Sequence, residues 1–168
     1  DLFNTNLAPQ FDTNCVPPVT GTPLSCQSDA QLIAMLHNYP NLILLLAGHR
    51  HKNTVTPQPS PDPSQPERGF WEVETASLRD FPQEFRTFDI RRNRDNSISI
   101  VTLDVDPAVE EGSPAADSRE YAIGTSRIFT NTTLGDTTSH AYNAELVKQL
   151  TPAMQAKIAN YGGRWVIA

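Results

Sequence analysis

Residues 41–52 read N-L-I-L-L-L-A-G-H-R-H-K and set two imidazoles, His49 and His51, on either side of Arg50. Neutral imidazole is a ligand for zinc, manganese, iron and nickel. In extended backbone, residues two apart point to the same side, roughly 6.5 Å apart along the chain. On a helix the same spacing sends the rings to nearly opposite sides. Metals in a dinuclear hydrolytic site lie about 3.5–4 Å apart, so two such rings can hold one ion each or share one. A bare H-x-H is more often a pair of surface histidines than a metal site. What precedes it shifts that balance. Leu42 through Ala47 is an unbroken apolar run, the pattern of a strand buried on both faces. Gly48 then lets the backbone turn. The rings would project from the carboxyl end of a buried strand, where ligands of open α/β sheets sit.

One element positions this strand. Ser28-Asp29-Ala30-Gln31 is a capping box, and a helix is expected over 30–38, ended by Tyr39-Pro40. It is apolar on most sides and should be largely buried. His37 lies at its end, where a cationic ring interacts favourably with the helix dipole, and is read as structural.

Gly48-His49-Arg50-His51 resembles the G-H-x-H motif that closes the calcineurin-like metallophosphoesterases. The likeness resumes at Gly69 with G-F-W-E-V-E-T-A-S-L-R-D-F-P-Q-E-F-R, similar to the family's strand after the histidines and its P-Q segment. It covers residues 32–105 well and the remainder loosely. It implies hydrolysis of a phosphate mono- or diester by two divalent ions (Mn, Fe, Zn or Ni), with no Ser or Cys nucleophile. His49 would bind the second metal and His51 the first. Apart from the resemblance, Arg50 and Arg79 could each meet a phosphate, because guanidinium suits phosphate oxygens, with a surface salt bridge as the alternative for each. The family's earlier motifs, D-x-H, G-D, G-N-H-D/E and a further His, are not found. The only Gly-Asp, Gly135-Asp136, follows the histidines. The expectation is therefore a C-terminal segment of a longer phosphoesterase, with the other ligands outside it and no activity on its own. The implied fold is α/β with α+β character: the C-terminal part of a metallophosphoesterase-type β-sandwich with flanking helices, ending in an antiparallel meander and C-terminal helices.

The 168 residues suffice for one domain with a core. A net charge of −6 argues against a general nucleic-acid surface. It leaves phosphate-ester substrates open, since bound metal supplies positive charge. No apolar run reaches the length of a membrane span. Cys15 and Cys26 flank a P-P-V-T-G-T-P loop. A disulfide there would contribute up to about 3 kcal/mol and would place the chain outside the cytoplasm. Two thiols in a reducing cytosol fit equally well. The weak hold on that loop favours the disulfide.

Residues 1–106 are assigned to the phosphoesterase-like part, with 52–68 a proline-punctuated loop, and 107–168 to a linker and helical extension. Prolines 57, 59, 61, 63 and 66 leave no periodic apolar pattern in that loop. Strands are expected at 69–76, 85–92 and 97–105, as a meander on the sheet edge. In 69–76, Trp71, Val73 and Thr75 share one face and Phe70, Glu72 and Glu74 the other, with the two glutamates read as solvated rather than metal-binding. The apolar residues of 97–105 switch faces between Ile100 and Val101, which a β-bulge would explain. Ser77 is given a supporting role, and Arg79 a surface salt bridge. Helices are expected over 115–130, 143–150 and from Thr151-Pro152 to about residue 161; isolated His140 is given no role. The rival class is a non-catalytic interaction module or a degenerate relative with an empty site. A mononuclear enzyme would need a third ligand, and none of His37, His140 or the carboxylates has convincing spacing.

Overall fold

The computed structural model describes residues 29–48, 51–130 and 143–160. The described chain is a mixed α/β structure of two three-stranded sheets. In chain order the elements are α1 (Asp29–Leu36), β1 (Leu44–Ala47), β2 (Thr54–Gln58), a 3-10 turn (Pro66–Arg68), β3 (Phe70–Glu74), β4 (Phe85–Arg92), β5 (Ile98–Val105), α2 (Pro114–Thr125), a π turn (Ser126–Thr130), β6 (Ala144–Lys148) and α3 (Pro152–Asn160).

The first sheet has the order β1-β3-β2, with β1 parallel and β2 antiparallel to β3. The second, β4-β5-β6, is antiparallel throughout. One core joins them: Val73 of β3 packs with Ile100 of β5 and Leu146 of β6, all essentially inaccessible. Ile43, Leu44, Val55, Trp71 and Phe88 close around it.

Several expectations change. The apolar run does not form a strand buried on both faces. β1 lies at the sheet edge, and Leu46 is 58% exposed. α1 is likewise less buried than expected. Its apolar residues encircle the helix, so only Leu32, Ile33 and Leu36 can turn inward, while Ala34 and Met35 stay exposed. The proline-punctuated segment contains β2. Pro57 sits opposite Trp71 on an edge strand, where a missing N–H breaks no interior ladder. The 143–150 segment is a strand, not a helix. Residues 144, 146 and 148 turn inward while 145 and 147 stay exposed, a period of two, and the β5 edge offers ladder partners that override helix propensity. Neither ladder of β5 contains a bulge. Pairing runs one-to-one from Phe85↔Val105 to Arg92↔Ile98. Ile100 and Thr102 are buried with Ile98 packed partly buried beside them, Ser99 is buried as well, and Leu103 is exposed, so Thr102 takes the inward place of an apolar residue.

The remaining helices follow their caps. Ser113 Oγ accepts from the Ala116 amide at the head of α2, with Pro114 in the first turn. Thr151 Oγ1 accepts from the Met154 amide at the head of α3. α2 ends at Thr125 and is continued by the π turn, so the expected 115–130 helix is not one regular α-helix.

Candidate functional site

The parallel pairing of β1 and β3 levels their carboxyl ends: Ala47 lies beside Glu74, and the Thr75 amide donates to the Ala47 carbonyl at 3.0 Å. The segments leaving these ends meet. His51 follows β1, Asp80 follows β3, and His51 Nδ1 lies 2.8 Å from Asp80 Oδ2. His51 has φ +57, so the left-handed turn falls there and not at Gly48. An alanine Cβ at Gly48 would meet nothing closer than the Thr75 carbonyl oxygen at 4.0 Å. The fully extended backbone expected of the H-x-H segment therefore does not hold at His51. His49 and Arg50 lie outside the described residues, as do Cys15, Cys26 and His140.

Asn53, 1% exposed, ties the two segments together. Its Oδ1 accepts from the Ala76 amide at 2.9 Å, and its Nδ2 donates to Glu84 Oε2 at 2.5 Å. Burial pushes the Glu84 carboxyl above its ordinary range, the Asp104 carboxylate adds to the rise, and the Asn53 bond opposes it. Behind Glu84, Arg86 Nη2 donates to Asp104 Oδ2 at 3.1 Å with both side chains fully buried.

The 75–84 segment is held at several points. Ser77 Oγ accepts from the Arg79 amide, and the Gln83 amide donates to the Asp80 carbonyl. Gln83, buried and at φ +60, donates from Nε2 to the Arg79 carbonyl and to Ser118 Oγ of α2. Ser77 thus supports the turn. The Arg79 side chain is 90% exposed, with Nε 3.9 Å from Asp80 Oδ1, a loose surface contact of the kind expected. Arg79, Asp80, Asp117, Ser118, Tyr121 and Thr125 line an open cleft of about 410 Å³ between this segment and α2.

Glu72 and Glu74 are not solvated. They are 7% and 1% exposed, and side chains of the neighbouring strand β2 bond to them: Gln58 Nε2 donates to Glu72 and Thr54 Oγ1 to Glu74. Asp89 pairs with Arg91. His37 is structural, as expected: it is buried against Phe70, with Nδ1 3.0 Å from the Arg68 carbonyl oxygen. Among the described residues no group of three or more His, Cys, Asp or Glu is placed to hold a metal ion. His51 suits a metal by its donor chemistry, since its Nδ1 is engaged by a carboxylate and Nε2 is the other ring nitrogen. Asp80, Asn53 and Gln83 were not singled out from sequence as site-builders. The signals were polar residues directly after H-x-H and inside the P-Q segment, which look like ordinary loop residues.

No helix among the described residues is long and apolar enough to cross a membrane. No protein-family model, curated protein or solved structure matches the chain.

Proposed function

We propose that this chain contributes the G-H-x-H part of a dinuclear metal site in a calcineurin-like phosphoesterase, hydrolysing a phosphate mono- or diester. The observation that carries the reading is the placement of His51 beyond the carboxyl end of β1, with its ring engaged by Asp80 of the segment that follows the parallel neighbour β3. His49 and His51 are the ligands, and Arg50 the phosphate contact. The remaining ligands come from outside residues 1–168, so the chain alone is inactive. Two divalent ions would supply a polarised phosphoryl group and an activated water. This chain's own part is to hold His51 by a fixed turn and a carboxylate, and to set the open cleft beside Asp80.

A second reading, a non-catalytic interaction module, draws on another surface. Trp71, Phe70 and prolines 57, 59, 63 and 66 border an open cleft of about 480 Å³, lined also by Val147 and Lys148 of β6. Elemental analysis separates the two. In the longer protein that the first reading requires, about two ions per chain are expected by the two-metal chemistry, and His49→Ala and His51→Ala lower that content. A metal-free protein would leave the interaction module. Phosphodiesterase activity from residues 1–168 alone, abolished in His49→Ala, would show that the missing-ligand part of the proposal is wrong.

A further inference from the structure

The contact between His51 and Asp80 has the form of a ligand and its orienting carboxylate. Exposed ion pairs hold little by themselves, and here the two side chains keep 39% and 49% of their accessible surface. What distinguishes this pair is how firmly both backbones are placed. His51 sits at φ +57, a region uncommon for a bulky residue, between β1 and the buried Asn53. Asp80 is carried by a segment fixed at Ser77, at Gln83 and, through Gln83, on Ser118 of α2. A carboxylate oxygen accepts in such a contact, so the hydrogen lies on Nδ1, and in a neutral imidazole the lone pair is then on Nε2. Metal-binding histidines are characteristically set in this way, with the second ring nitrogen donating to a carboxylate that fixes tautomer and ring orientation and raises ligand basicity.

We infer that Asp80 is a positioning residue: it holds His51 in the Nδ1–H tautomer and so presents Nε2 as the metal-ligating atom. The inference rests on the reading of His51 as a ligand, and adds to it which nitrogen binds and what sets it. Asp80 itself touches neither metal nor substrate.

The test uses the 168-residue chain labelled with ¹⁵N, with the fold of each variant checked by circular dichroism. Long-range ¹H–¹⁵N spectra of the metal-free protein should show His51 with Nδ1 protonated and Nε2 bare. In Asp80→Ala that pattern should be lost in favour of mixed tautomers, and Asp80→Asn, whose Oδ1 can still accept, should restore it in part. Zn²⁺ titration followed on the same signals should show metal at Nε2. Its affinity should fall about 10- to 100-fold in Asp80→Ala, the cost typical of removing such a partner, with Asp80→Asn between. If His51→Ala leaves Zn²⁺ affinity unchanged, His51 is not a ligand, and the functional reading falls together with this inference. If His51→Ala weakens binding while Asp80→Ala changes neither tautomer nor affinity, only the role of Asp80 is overturned.

Discussion

Glu84 shows how closely the residues behind the candidate site are coupled. It lies in a cluster with Asp104, Asp106, Arg86 and Arg119, in which the buried Arg86 pairs with Asp104 and Arg119 with Asp106 nearer the surface. With both arginines engaged, Glu84 is the carboxyl left over, and burial followed by the Asp104 charge pushes its pKa up. A carboxyl whose folded pKa is raised takes up its proton more readily in the native state. Its contribution to stability is complete below the unfolded value and is lost as pH rises through the folded one. Glu84→Gln keeps an acceptor for Asn53 and carries no charge, so it should match wild type under acidic conditions and become progressively more stable than wild type toward neutral pH. Urea denaturation from pH 4 to 8 measures this, and parallel pH profiles would show that Glu84 bears no such strain. Nothing in the sequence advertised the cluster: its members are spread over 84–119 and converge only when β4, β5 and α2 are assembled. The H-x-H pair, by contrast, was visible at once, because its chemistry depends on residues two apart.

At the level of elements, legibility followed how local the cause was. The cap of α3 lies within three residues of what it caps and was readable. So were β4 and β5, about a short polar turn in which Asp95 Oδ1 accepts from the Ser97 amide. β2 and β6 were not, because neither is specified by its own residues. β2 is a proline-bearing edge and β6 a good helix former, and each becomes a strand by pairing with β3 or β5. Glu72 and Glu74 were misplaced for the same reason: their partners Gln58 and Thr54 lie on β2. Asn53 is the hinge of this arrangement, lying between His51 and β2 and bonding to residues that follow β3 and precede β4. Asn53→Ala leaves the Ala76 N–H and a Glu84 oxygen without this partner in a water-poor place. It should cost about 1–3 kcal/mol, the usual range for unsatisfied buried groups. Hydrogen exchange at the Ala76 amide should accelerate more than exchange in β5. Equal acceleration everywhere would mean that Asn53 supports the whole fold instead of these two segments.

Across the whole molecule, the two sheets are joined by packing in the middle and by polar ties at one margin. Trp71 Nε1 of β3 donates to the Val147 carbonyl of β6 at 3.0 Å, and Lys148 Nζ donates to the Glu67 and Gly69 carbonyls that lead into β3. The residue is 3% exposed, and burial, only partly offset by Glu67, drives its pKa below that of an ordinary lysine. For a base with a depressed folded pKa, the native state is favoured above the unfolded value, and that advantage is lost as pH falls through the folded one. At neutral pH the buried ammonium therefore carries a cost that its two carbonyl bonds must offset, while its aliphatic stem is buried with it. These contributions can be separated by size. Lys148→Met keeps most of the stem and removes the charge, and the adjoining cleft lets water reach the vacated carbonyls, so stability should stay within about 1 kcal/mol of wild type. Lys148→Ala removes the stem as well and should cost about 2–3 kcal/mol, the lower part of the range for large-to-small changes. Thermal unfolding of the two variants decides. If Met is as damaging as Ala, the charged bonds to Glu67 and Gly69 hold the sheets together. If Met matches wild type, the sheets are held by the core around Val73, Ile100 and Leu146, and the lysine only seals their margin.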